Sequence, residues 1–200
     1  ATDGHQLFRA TEPLPSGWAA APVILPISSV TTLAKMLGGE GSADVTMRVS
    51  DTRIEVEAGT WALVSKLIDG TFPETDGVIP QSEPKGTLVI ADAAGLASRI
   101  KAAASVIDDK SRGVKLIADG SALRIVSVTT DAGSVEADVP DDVARWEGQG
   151  PAEGIGFQAR YLLNLLGRCE GEARMRVTET VAPARVDCPA GLAVLMPFRI

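Results

Sequence analysis

The only histidine, His5, stands two residues after Asp3 in the run ATDGHQL. A carboxylate near an imidazole is a pairing that moves protons near neutral pH. No serine or cysteine elbow stands ready as a nucleophile, and Asp-Gly is also an ordinary turn dipeptide. The segment is therefore expected to have a structural or binding role. A small hydrolase using Asp3 and His5 is the enzymatic rival, and loss of turnover on His5→Ala would support it.

Other chemistry-bearing residues are spaced against catalysis. The glycine-rich GGEG at 38–41 follows a helical stretch and has no Lys-Ser/Thr after it, so it suits a helix end better than a phosphate cradle. The acidic residues fall on alternate strand positions or in turns, without the spacing of a calcium loop. No metal site and no cofactor is expected. Cys169 and Cys188 belong to no C-x-x-C pair. They read as two free thiols of a cytosolic protein, with a disulfide as the alternative.

The cations have a clearer pattern. The helical stretch at 28–38 has Lys35 and no acid, that at 91–107 has Arg99 and Lys101 against Asp92, and that at 158–168 has Arg160 and Arg168 and no acid. The formal net charge is −7, so three acid-poor helices suit a positive face for a polyanion. Helices also simply tolerate Lys and Arg well. The tail AVLMPFRI poses a second question, because termini are usually polar and frayed. Either the protein's own core or another molecule must cover Leu195, Met196, Phe198 and Ile200.

These residues sit in a repeat of about sixty-five residues. A helix is expected to start near 28, 92 and 158, each followed by three short alternating runs. The runs are VTMRVS, RIEVEA and WALVSKLI; GVKLIAD, ALRIVSVT and GSVEADVP; EARMRVTE, PARVDCP and GLAVLMPFRI. Val45, Met47 and Val49 are expected on one half-buried face. The fold class is α+β, built from repeated units of one helix and an antiparallel meander. The stretch 139–154 suits an exposed crossover, and PQSEPKG at 80–86 is the best domain boundary. Three units leave one without a mate, and the chain opens in what reads as a turn without Met, so it is expected to be a piece of a longer chain. The hydrophobic fraction of 45% allows real cores. No run approaches the ~18 apolar residues of a membrane span, and the start has no signal-peptide pattern.

The words ATDGHQL, SKLIDGTFPETDGVIP, SRGVKL, FQARYLLNLL and VLMPFRI, in this order, closely resemble the bacterial sliding clamp, the beta subunit of DNA polymerase III. The resemblance runs from Ala1 to Ile200. It implies the DNA-clamp fold, with 1–80 as the second half of the middle domain and 81–200 as the C-terminal domain. It also implies a cytoplasmic, non-enzymatic processivity factor: a head-to-tail homodimeric ring around duplex DNA, tethering polymerases, the clamp loader and repair proteins. Without its upstream part the chain is expected to be monomeric. A β-rich adaptor that does not encircle DNA is the alternative.

Carried over word by word, the family's partner pocket implies Thr2, Gly4, His5 and Leu7 from the first segment, with Pro73 and Val78 from FPETDGVIP. It further implies Tyr161, Val181, Pro183 and Val194, then Met196, Pro197, Phe198 and Arg199 from the tail. Short motifs with a Gln followed by Leu and Phe would dock there. Gln6 stands where many relatives have Arg, and Phe198 where Met is common. The DNA-facing residues would be Lys35, Arg99, Lys101, Arg160 and Arg168. The subunit interface would use Val106, Ile107, Val135 and Glu136.

Overall fold

Short alternating runs cannot satisfy their backbone polar groups alone, so each must find a neighbour in a sheet. The computed structural model describes residues 1–13, 21–38, 44–105, 113–129 and 133–199. They fall into two compact units, Pro13–Glu74 and the combination of Ala1–Glu12 with Thr75–Ile200.

Strand β1 (Gln6–Arg9) opens the chain and belongs to the larger unit. The smaller unit holds helix α1 (Ile27–Gly38) and strands β2 (Val45–Val49), β3 (Arg53–Ala58) and β4 (Trp61–Lys66), paired in that order as an antiparallel sheet. Helix α1 packs on β4, where the Ser29 and Ser65 hydroxyls lie 2.6 Å apart. Its core is thin. Ile54, Val56 and Ala58 of β3 are buried, but α1 buries no residue. The expected half-buried face of β2 is instead open, with Val45 and Met47 each 43% exposed. β2 is the sheet's edge, and α1 packs chiefly on the opposite edge, β4.

The larger unit has two sheets and two helices. Its remaining elements are β5 (Gly86–Ile90), α2 (Ala93–Ala104), β6 (Gly113–Asp119), β7 (Ala122–Thr129), β8 (Gly133–Val139), β9 (Ala144–Gly148), β10 (Ile155–Gln158), α3 (Ala159–Leu166), β11 (Ala173–Val177), β12 (Ala184–Cys188) and β13 (Gly191–Leu195). One sheet runs β1-β13-β12-β11-β5-β9 and the other β10-β6-β7-β8. The strand before each helix joins the other repeat's sheet. β5, ahead of α2, pairs with β11 (Leu88 opposite Met175), while β10, ahead of α3, pairs with β6 (Phe157 opposite Val114).

This exchange closes the core. Ala93, Leu96, Ile100 and Ala103 fall on one face of α2 by helical spacing, and Ala159, Leu162, Leu165 and Leu166 do the same on α3. α2 packs on β6, β7 and β8, α3 packs on β10 and β13, and the two helices touch. Asp92 caps α2 by accepting from the Gly95 N–H at 2.9 Å. At the other end, the buried Ser127 hydroxyl donates to the Ala103 carbonyl at 2.9 Å.

Two expectations, on 139–154 and on the length of the second helix, need correction. The stretch 139–154 is no exposed crossover: it contains β9, and Val143, Ala144 and Trp146 are buried. Its Pro, Gly and Asp residues hid a short alternation in which Ala144 and Trp146 face in. Gly86, at the end of PQSEPKG, is buried and begins β5. The second helix is also shorter than expected, ending at Ala104 with Ser105 as its cap.

Candidate functional site

The first segment is a turn fastened onto the tail. The Thr2 hydroxyl donates to the Gln6 carbonyl at 2.8 Å and accepts from the Gly4 N–H at 3.2 Å. Gly4 has φ +86°, a left-handed conformation that costs glycine little. The Asp3 carboxylate accepts from the backbone N–H groups of His5 and Gln6, both at 3.0 Å, and from the Gln6 amide at 3.1 Å. Its partial burial works to raise its pKa, but these hydrogen bonds outweigh that and hold the carboxyl below its usual value. Asp3 therefore grips the backbone at His5 and shows no hydrogen bond to the ring, as expected of a structural turn.

β1 leads from this turn into pairing with β13, with Leu7 opposite Val194 and Gln6 opposite Leu195. The tail then divides. Ala193, Val194 and Leu195 are buried, Val194 joining a small cluster with Leu7 and Ile79. Met196 turns outward at 39% exposure, Pro197 and Phe198 are half-buried, and Arg199 is exposed. The Met196 N–H donates to the His5 carbonyl at 3.0 Å, and the Phe198 N–H donates to the Gly156 carbonyl at 2.8 Å. Both ends of the Met-Pro-Phe run are thus fixed by backbone bonds on either side of a proline that has no N–H to give.

Beside it lies an open groove of about 250 Å³, lined by Pro197, Phe198 and Arg199, by Thr180 and Val181, and by Lys115, Gly154 and Gly156. Val181, at 79% exposure, is an apolar side chain offered to solvent. Lys115, Gly154, Gly156 and Thr180 were not anticipated from the sequence. Gly154 and Gly156 lie at or beside β10, whose apolar GIGF run has no alternation to mark it. Thr180, next to the expected Val181, was the nearest signal.

His5 stacks on Tyr161, with ring centroids 5.9 Å apart and planes at 22°. The Arg160 guanidinium lies 4.8 Å from the Tyr161 ring centre and donates to its hydroxyl at 3.1 Å. Arg168 lies 5.3 Å over Phe8. Such cation–π contacts hold a long side chain in place without neutralising it. Thr2, Gly4, His5, Leu7, Tyr161, Val194 and Met196 are thus gathered around the β1–β13 pairing, while Val181, Pro197, Phe198 and Arg199 line the groove. Val78 is 46% exposed in a 3-10 turn, and Pro183 is half-buried before β12. Pro73 lies in the smaller unit and is exposed.

The helix cations are also on view. Arg160, Asn164 and Arg168 follow at four-residue steps along the exposed side of α3 and just past its end, and Lys101 is exposed on α2 near the half-buried Arg99. No acid lies within α2 or α3, and the Asp92 cap precedes α2. Lys35 is exposed in the last turn of α1. Val135, half-buried, and Glu136, exposed, lie on β8, the end strand of its sheet. Val106 and Ile107 lie outside the described residues.

Cys169 and Cys188 are both free. Burial, and then the neighbouring Cys188, push the Cys169 thiol up to about 12, so it is an inert thiol at neutral pH. Among the described residues no cluster of His, Cys, Asp or Glu could hold a metal ion, and no helix is long and apolar enough to cross a membrane.

Residues 1–74 match the family model for the DNA polymerase III beta subunit, central domain, and residues 77–194 match that for its C-terminal domain. The beta sliding clamp of Caulobacter vibrioides is 34% identical over all of this chain and 53% of its own length. That of Escherichia coli K12 is 29% identical over all of this chain and 54% of its own length. The solved clamp of Bartonella birtlesii, bound to griselimycin, superposes with a TM-score of 0.88 at 33% identity, covering 100% of this chain and 53% of that one. The chain thus spans about half the length of the curated relatives it matches.

Proposed function

The chain belongs to the DNA polymerase III beta-subunit family, the bacterial sliding clamps, and from that premise we propose that it is part of a non-catalytic processivity factor of the bacterial cytoplasm. The full-length protein is a homodimeric ring that encircles duplex DNA. It tethers DNA polymerase III, other polymerases, the clamp loader and repair proteins. Residues 1–80 are the second half of the central domain and 81–200 the C-terminal domain, with β1 strand-paired to β13.

The observation that carries this reading is the acid-free pair α2 and α3 in a chain of net charge −7. Point cations at Lys35, Arg99, Lys101, Arg160 and Arg168 meet phosphates without reading bases, which suits a protein that must slide. β8, with Val135 and Glu136, offers a sheet end for the subunit interface, a ready pairing template. Val106 and Ile107 belong to the same interface in this reading. Partner motifs of the Gln-Leu-Phe type dock on the tail. Its pocket uses Thr2, Gly4, His5, Leu7, Val78, Tyr161, Val181, Pro183, Val194, Met196, Pro197, Phe198 and Arg199 of the larger unit, while Pro73 is assigned by the family resemblance alone.

The test is duplex affinity against salt. This chain should bind weakly and without sequence preference, and removing one phosphate-binding cation should reduce the salt slope by about one unit. Charge reversal at Arg99, Lys101, Arg160 and Arg168 should flatten the slope. Unchanged affinity in the full-length ring would overturn the assignment and favour an adaptor that does not hold DNA. For the pocket, deleting Phe198–Ile200 should abolish peptide binding with a modest loss of stability. A large fall in denaturation midpoint would make the tail core instead.

A further inference from the structure

The groove beside Phe198 carries a charge pattern that its apolar floor does not explain. Among the described residues no acid lines it, yet two cations do: Lys115 of β6 and Arg199. Several arginines elsewhere on the sheets are engaged. Arg48 meets Glu55 and Glu57, Arg124 meets Asp138, Arg174 meets Glu172, and Arg185 meets Asp187. Lys115 and Arg199 form no ion pair among the described residues. Lys115 is also placed by the backbone. A Cβ on Gly154, where φ is +79°, would meet the Lys115 stem at 2.6 Å, so the stem lies flat over that glycine. An alkyl stem packed in this way gives up less entropy when its ammonium is bound.

Thr180 and Val181 also border a second groove of about 430 Å³, continued by Val177–Glu179, Gln149–Pro151 and Lys85. We propose that the two grooves form one channel for an extended partner segment whose apolar anchor sits against Phe198 and Val181 and whose flanking residue is acidic. That acidic side chain is held between Lys115 and Arg199. A side chain, and not a terminal carboxylate, is the occupant because the second groove, beyond Thr180 and Val181, lets the segment continue. The inference rests on the peptide-pocket reading above and adds Lys115 as a determinant of partner choice. In a chain of net charge −7, such a local pair is what would let an acidic segment approach at all.

Fluorescence anisotropy on the full chain with three labelled peptides tests this. All carry the same Gln-Leu-Phe type core. One continues with Asp-Glu and a C-terminal amide, one with Asn-Gln and a C-terminal amide, and one ends after the core in a free carboxylate. The Asp-Glu peptide should bind about tenfold more tightly than the Asn-Gln peptide at low salt, as charge-assisted hydrogen bonds would make it, and the ratio should shrink as salt rises. Lys115→Met should bring the ratio below about threefold, while Lys115→Arg should keep it. Equal affinities for the Asp-Glu and Asn-Gln peptides overturn the inference and leave the pocket standing. So does a ratio unmoved by Lys115→Met, or a free-carboxylate peptide that binds as tightly as the Asp-Glu one. If no peptide binds in any form, the pocket reading falls and this inference with it.

Discussion

Helices α1 and α2 are both twelve residues long, and each is followed by three antiparallel strands, yet α1 buries none of its side chains and α2 buries four. α1 is no less apolar: Ile27, Val30, Leu33 and Leu37 are spaced to share a face. What differs is the partner. In the larger unit, β5 and β10 cross between repeats and a second helix lies against the first, so the apolar face of α2 meets a complete wall. Within Pro13–Glu74 the sheet has three strands and no second helix among the described residues, leaving Ile27 at 78% and Trp61 at 56% exposure. An apolar stripe specifies that burial is wanted and leaves open what supplies it.

The sharpest way to break this contrast is to cut into both faces. Phe157→Ala, at a residue 1% exposed on the exchanged strand β10, should cost about 3–5 kcal/mol. Val30→Ala on α1 should stay within about 0.5 kcal/mol. Similar losses in urea midpoint for the two would mean that α1 is buried in solution. Hydrogen exchange extends the comparison to the backbone. Amides of β5, β10 and β11 should exchange only on global unfolding, and those of α1 and β2 several orders of magnitude faster. Equal protection would contradict the thin core.

Both cysteines lie in the larger unit and none in Pro13–Glu74, so thiol chemistry reports on one side of the contrast alone. Cys169 is raised in the fold, so its contribution to stability is full below about 9, its ordinary value, and is lost as pH rises towards about 12. The unfolding midpoint should fall over that window and fall less in Cys169→Ser. At pH 8 the folded thiol should resist alkylating reagents, with on the order of one molecule in ten thousand ionised. Rapid labelling of Cys169 in the native chain, read by mapping the modified residue, would refute the burial. The smallest effect concerns tryptophan. Trp146 is 2% exposed and its indole N–H has no acceptor, so Trp146→Phe should cost no more than about 1 kcal/mol. In single-tryptophan variants, acrylamide should quench Trp61 strongly and Trp146 hardly at all.

Much of this architecture was legible in the residues. The helices start at Ile27, Ala93 and Ala159, against expected starts near 28, 92 and 158, because 3.6-residue spacing, joined at α2 by the Asp92 cap, is a local signal. The meander strands were legible for the same reason, since Val56 or Val186 alternates with charged neighbours. β5 and β10 were not. GTLVI and IGFQ are buried on both sides and so lack alternation, and what makes them strands is a partner in the other repeat. At the candidate site, the words around His5 and Met196 pointed to the tail. The place of Lys115 in the groove was hidden because it lines the same groove as Arg199 only once β10 has paired with β6 and offered Gly156 to Phe198.

The crossing of β5 to β11 also orders events during translation. β5 leaves the ribosome early, but its partner follows only after α2, five further strands and α3 have been made. At about 5–20 residues per second, that edge waits on the order of several seconds. β9 arrives sooner and covers one side, with Trp146 opposite Leu88, while the side facing β11 stays bare. A ribosome that stalls before residue 173 therefore holds a nascent chain with an apolar, hydrogen-bond-hungry strand edge. Pausing in that interval should be the step at which this protein is most easily lost to aggregation.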